Sequence, residues 1–350
     1  MIGVDLFAGA GGMSLGALEA GLDVKVAVEV DKHACATYAA NFPATELVHG
    51  DVRSVRGTDL PAHRDGAVLF GGLPCQGLST SNQRDRGYRN PRNWLFSEFL
   101  RIAKEWRPDW VVLENVRGIL ETANGVFMQA VVDGLKRLDY GVDSELLNAA
   151  DFGVPQRRAR VFVVARWGGR PGMLQSPQGQ PCVTVKDAIF DLPELENGAA
   201  FQSLPYRADE PSRYARQMRG NLKATTCHLV TRNAQHVVER YKHIPQGGNW
   251  KDIPPALMAN YTETEKCHTG IYHRLREDAP SIVIGNYRKN MIIHPRQNRG
   301  LSVREAARIQ SFPDSFDFRG SIGFQQQQVG NAVPPLLARG VFEALVRAGS

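Results

Sequence analysis

Ile2-Gly3-Val4-Asp5-Leu6-Phe7-Ala8-Gly9-Ala10-Gly11-Gly12-Met13-Ser14 decides the fold. Residues 2–7 form an apolar strand that runs into a glycine-rich turn, and a helix begins at residue 13. Glycines let a backbone approach a ligand closely at the amino end of a helix. The turn has no Walker Lys-Ser/Thr and no clean Gly-x-Gly-x-x-Gly, so taken alone it fits a nicotinamide site or a bland tight turn equally well. The alternation continues downstream. Residues 24–30, 46–48, 67–70, 110–114, 140–148 and 161–166 read as strands; residues 32–41, 94–105 and 126–138 read as helices. This pattern predicts an α/β fold, a doubly wound and mostly parallel sheet. The first strand has no helix before it, whereas the amphipathic tail over 334–346 lacks a partner, so the tail is expected to fold back beside strand one.

Two acids sharpen the ligand. Glu29 ends the second strand, and Asp51, in Gly50-Asp51-Val52, follows the third. Carboxylates there suit a ribose diol and an adenine amino group, which fits S-adenosyl-L-methionine better than a dinucleotide. A thiol stands nearby in Phe70-Gly71-Gly72-Leu73-Pro74-Cys75-Gln76-Gly77-Leu78-Ser79, on a sharp turn at the end of a strand. A thiolate beside a methyl donor suggests attack on a carbon that makes its neighbour nucleophilic, and cytosine is such a ring. Cys75 would add at C6, and C5 would take the methyl group. Glu114, in Val111-Val112-Leu113-Glu114-Asn115-Val116, is placed to protonate N3. Taken by itself it reads better as an exposed strand-end acid in an ion pair. Arg158 and Arg160, alternating in Gln156-Arg157-Arg158-Ala159-Arg160, could hold the pyrimidine O2 and a phosphate, or simply line a solvated edge.

Residues 79–93 carry four arginines and one acid and read as a lid closing on a phosphate backbone, with Ser79, Ser81, Arg84, Arg86 and Arg89 as contacts to DNA. A base must leave the stack to reach such a site. The net charge of +6 lies entirely between Arg166 and Arg299, where 19 Lys and Arg face 12 Asp and Glu. That excess fits a polyanionic partner. The texture there is irregular, rich in Pro, Asn and Arg, with six of the nine histidines in 182–295. The expected division is therefore a catalytic and cofactor-binding domain over 1–167 plus 296–350, and a smaller irregular domain over 168–295 that includes the return segment 281–295. Five cysteines without regular spacing argue against a disulfide framework and fit a cytoplasmic location. No apolar run is long enough for a membrane span and no signal peptide is visible. No metal is expected, because Cys227-His228 and Cys267-His268 match no standard ligand spacing.

Together these segments resemble the prokaryotic-type DNA cytosine-5 methyltransferases over residues 1–167 and about 281–350. The resemblance rests on Asp5-Leu6-Phe7-Ala8-Gly9, Pro74-Cys75-Gln76, Glu114-Asn115-Val116 and Gln156-Arg157-Arg158-Ala159-Arg160. Near the end it adds the run Arg304-Glu305-Ala306-Ala307-Arg308-Ile309-Gln310-Ser311-Phe312-Pro313 and Gln328-Val329-Gly330-Asn331-Ala332-Val333-Pro334-Pro335. The resemblance implies a Rossmann-like class I methyltransferase fold with a target-recognition domain. It implies Cys75 as nucleophile, Glu114 at N3, and Arg158 and Arg160 at the target base. It also implies cofactor contacts from Phe7, Ala8, Gly9, Gly11, Gly12, Glu29, Val30, Asp51, Val52, Pro74, Leu95, Asn331 and Val333, with S-adenosyl-L-homocysteine as product. The expected substrate is double-stranded DNA, the expected state a monomer, and a cognate restriction endonuclease would act separately. Two rivals remain. One is a tRNA cytosine-5 methyltransferase of the same fold, whose Cys-Phe-Thr signature is not found; the other is a catalytically silent DNA-binding paralogue.

Overall fold

Strand β1 (Ile2–Leu6) is buried from Gly3 onward, as an apolar strand at the centre of a sheet must be. The protein is described by a computed structural model covering all residues except 65, 74–94, 173, 178, 180, 208–209, 260–269, 286, 290 and 350. In chain order β1 is followed by α1 (Gly12–Glu19), β2 (Asp23–Glu29), α2 (Lys32–Asn41), β3 (Glu46–His49) and β4 (Ala67–Gly72). Next come α3 (Phe96–Trp106), β5 (Trp110–Val116), α4 (Val126–Lys136), β6 (Tyr140–Asn148) and β7 (Ala159–Trp167). The remaining elements are α5 (Val185–Ile189), β8 (Ala200–Pro205), α6 (Arg213–Arg219), β9 (Ala224–Leu229), α7 (Gln235–Lys242), α8 (Val303–Ile309), α9 (Ile322–Asn331) and α10 (Pro335–Gly349).

The described chain forms two compact units. One comprises Met1–Phe152, Ala159–Gly179 and Val333–Ser350; the other comprises Gly153–Arg158 and Gln180–Ala332. The first unit holds a seven-stranded sheet of order β3-β2-β1-β4-β5-β7-β6, parallel except at β7, which runs antiparallel to both β5 and β6. The doubly wound α/β fold expected from the alternation is therefore the one observed. Val4, Leu6, Leu69, Val111 and Leu113 pack on one face against Phe99 and Ile102 of α3 and Val131 and Leu135 of α4. On the other face Phe70 meets Phe342 of α10, ring centroids 4.9 Å apart. There α1 and α10 touch so closely at Gly16 that a Cβ would meet Ala338 Cβ at 2.6 Å.

The second unit owes its order to buried arginines more than to regular ladders; β8 and β9 form its only sheet among the described residues. Arg308, wholly enclosed, pairs with Asp314 at 2.6 Å and Asp191 at 3.2 Å, and Tyr214 of α6 donates to its carbonyl. Arg304 donates to the carbonyls of Thr226, Pro313 and Phe316. Arg299 clasps Glu305 beside the capping box that Glu305 makes with Ser302. Arg274 donates to the carbonyls of Tyr241, Ile244, His294 and Gln297. An irregular backbone has carbonyls that no ladder satisfies, and forked guanidinium groups satisfy several at once. This corrects the expected domain boundary. Residues 296–332 belong with the second unit, because the partners of the α8 arginines come from residues 188–226 and 313–316. It also shows that part of the positive excess is structural, since Arg240, Arg274 and Arg299 are buried. In helix α9 Gln325 and Gln328 donate to the carbonyls of Gly320 and Arg319.

Candidate active site

The order of the sheet reverses between β1 and β4, and ligands of such sheets bind at the carboxyl ends of the strands flanking that point. Phe7 leaves β1 with φ 64°, a left-handed conformation unusual for a bulky residue and worth of order 1 kcal/mol in strain. Gly9 (φ 56°) and Gly11 (φ 95°) complete the turn. A Cβ on Gly11 would run into the Phe42 ring, whereas the space beside Gly9 is open to 4 Å. The turn is thus backed on one side and clear on the other, as a cradle must be.

Glu29 ends β2. Its Oε2 accepts from Gly9 N at 2.7 Å, and its Oε1 accepts from Val30 N at 2.8 Å and Asp31 N at 2.7 Å. Val30 beside it is 66% exposed, an apolar side chain kept in the open next to a carboxylate. Asp51 follows β3 as the cap of a short turn, accepting from Arg53 N at 2.9 Å, and Val52 packs into the core. Ala8 is buried, Leu95 half-buried at the start of α3, and Val333 buried in the first unit; Asn331 is the exposed last residue of α9 in the second. Pro74, Cys75 and the lid residues Ser79, Ser81, Arg84, Arg86 and Arg89 lie outside the described residues.

Strand β4 nevertheless fixes where residue 73 goes. Leu73 N donates to the Glu114 carbonyl at 3.2 Å, so the chain leaves the sheet directly beside the end of β5. Glu114 is 7% exposed, and Arg160 Nε stands 2.9 Å from its Oε1. The antiparallel turn of β7 is what brings Arg160 there, with Val116 opposite Arg160 in the register. At Gly72 a Cβ would sit 3.2 Å from Glu114 Oε2, so a side chain there would press on the carboxylate. Gly71 is tighter still, because a Cβ would strike the Leu6 carbonyl.

Arg158 does not share the placement of Arg160. It is 1% exposed, and its Nη2 donates to the carbonyls of Gly330 and Ala332, both at 3.0 Å. Gln156 and Gln310 brace the same place, Gln156 Nε2 donating to Gln310 Oε1 at 2.8 Å and Gln310 Nε2 to the Val329 carbonyl at 2.7 Å. The expectation that Arg158 projects toward a base is corrected: the residue holds the backbone that carries Asn331. Sequence reading could not separate the two arginines, because strand periodicity begins only at Ala159.

Among the described residues no group of His, Cys, Asp and Glu is arranged to hold a metal ion. Cys227 is buried with φ 66° and its Sγ lies 3.9 Å from Asp317 Oδ1; Cys267 and His268 lie outside the described residues. No described helix is long and apolar enough to cross a membrane.

The C-5 cytosine-specific DNA methylase family model matches residues 1–347. The type II methyltransferase M1.HphI of Haemophilus parahaemolyticus is 37% identical, over 98% of this chain and 86% of the relative. The type II methyltransferase M.DdeI of Desulfomicrobium norvegicum is 33% identical over 98% and 88%. A solved DNA modification methyltransferase candidate encoded within an E. coli prophage superposes with a TM-score of 0.80 at 28% identity, covering 99% of each chain. The sheet with its glycine turn, the Glu114–Arg160 pair and these full-length likenesses agree, and the chain belongs to the C-5 cytosine-specific DNA methylase family, whose members are DNA cytosine-5 methyltransferases.

Proposed function

We propose that this chain transfers a methyl group from S-adenosyl-L-methionine to C5 of a flipped-out cytosine in a specific double-stranded DNA sequence, through a covalent bond from Cys75 to C6. The observation that carries the reading is the buried Glu114–Arg160 pair beside the strand end that leads to Cys75, on the same sheet edge as the glycine turn. The cradle fits the donor. Gly9 leaves open space, Glu29 presents a fixed carboxylate, and exposed Val30 offers an apolar surface to an adenine ring. When bound, the donor supplies an electrophilic methyl group. The protein's share is to make C5 a nucleophile. The Cys75 thiolate adds at C6 while Glu114 directs a proton to N3, and Arg160 fixes the orientation of Glu114. Loss of the C5 proton to solvent, return of the N3 proton to Glu114 and expulsion of the thiolate restore the ring as 5-methylcytosine. The contacts to DNA are assigned to Ser79, Ser81, Arg84, Arg86 and Arg89, which lie outside the described residues, and to the exposed cations of the second unit, and an independent restriction endonuclease fits the type II names of the relatives.

A duplex carrying 5-fluorocytosine tests the mechanism, because its C5 has no proton to lose. With S-adenosyl-L-methionine it should trap a denaturation-stable protein–DNA adduct that Cys75→Ala cannot form. Methylation without any trappable adduct would overturn the covalent route. Equal or greater methylation of tRNA would favour the RNA rival.

A further inference from the structure

Beneath the glycine turn lies a buried polar chain that methyl transfer itself does not use. Tyr38 Oη donates to Ser14 Oγ at 2.8 Å, and Ser14 Oγ donates to Asp5 Oδ2 at 2.6 Å. Asp5 is 1% exposed, and Ser14 and Tyr38 are fully enclosed. Among the described residues Asp5 Oδ1 has no hydrogen-bond partner. The Tyr38 ring, 4.4 Å from that of Phe42, also backs Gly11, where an added Cβ would come within 3.1 Å of it. The chain thus joins α2 to α1 to β1 and determines where the turn stands.

An ionised carboxylate in this place would have donors from Ser14 alone, its hydroxyl and its backbone N–H, and no counterion. The groups facing Asp5 are Ser14 from α1, Tyr38 from α2 and the acid Glu29 from β2; on β4 its partner in the register is Phe70, which packs on Phe342 of α10. None is cationic. A buried carboxyl without compensation stays neutral.

We propose that Asp5, as a neutral carboxylic acid, is a positioning residue for the methyl-donor turn: through Ser14 and Tyr38 it holds Gly9 and Gly11 in binding geometry, and its ionisation releases them. This rests on the reading of residues 7–12 as the donor site. Burial, with the charge of Glu29 adding to it, pushes the Asp5 carboxyl up to about 8, which places the transition in mildly alkaline solution.

Calorimetric titration of the full chain with S-adenosyl-L-homocysteine tests it. The wild-type dissociation constant should rise roughly tenfold or more between about pH 7 and about pH 9.5. Asp5→Asn, uncharged throughout, should lose most of that rise; the ligand's own amino group titrates alike in both proteins. The same rise in both overturns the role of Asp5. Carbon-13 NMR of the wild-type aspartate carboxyls gives an answer that needs no variant. One carboxyl titrating near pH 8 supports the proposal, and all of them titrating below about pH 5 overturns it. A chain that binds the ligand at no pH, yet shows that carboxyl, overturns the donor-site reading instead.

Discussion

Residues that look alike in the sequence part company in space. Arg158 and Arg160 alternate on one segment, yet one is enclosed on two carbonyls and the other orients an acid. Their substitutions should differ accordingly. Arg160→Ala should leave Glu114 buried without its cation and cut kcat by about 10² to 10⁴-fold with a smaller change in KM. Arg158→Ala should lower stability by about 2 kcal/mol, read by denaturant titration, through lost charge-assisted hydrogen bonds. Cys75→Ser should reduce methylation at least about a thousandfold while DNA binding persists, measured by labelled methyl transfer and by band shift. The placement of Glu114 at the end of β5 was legible because motif and strand periodicity agreed, whereas Cys75 lies outside the described residues. The roles of Ser14, Tyr38 and Gly72 were not, because each acts through a neighbour that only the folded chain supplies.

At the level of elements, the first unit was readable and the second only in part, through the helix that Ser302 caps, for one physical reason. Strands and helices of the first unit bury continuous apolar faces, so periodicity marks them; β2, α2 and β6 stand where the pattern put them, within a residue. In the second unit the glue is polar. Helix α8 buries Arg304, Glu305 and Arg308, residues that a hydropathy pattern assigns to solvent. The same glue makes this unit sensitive to acid. His294 Nδ1 accepts from Arg296 N and Gln297 N, at 3.2 and 3.1 Å, which requires a neutral ring, and burial pulls its pKa down to about 4. The unfolded chain therefore binds that proton first. Stability from this group is complete above its ordinary value of 6.5 and is lost as pH falls toward about 4. His294→Gln should flatten the decline, measured as urea midpoints across that range.

For the whole molecule, charge and chain order set the behaviour. Binding to duplex DNA should weaken steeply with salt, log K falling with a slope near −0.9 for each phosphate neutralised; a flat response would remove the backbone contacts assigned to the basic segments. Bisulfite sequencing of DNA from cells expressing the protein should show one modified context. Helix α10 carries a different consequence. It covers Phe70 and docks on Gly16, and its end reaches Met1 and Trp110, so strands β1 and β4 are completed by a helix far from them in the sequence. A contact between segments so far apart in the sequence forms late in folding, because a long loop must close before the packing repays it. Removing α10 should therefore uncover Phe70 and Gly16 and lower the urea midpoint of the sheet unit.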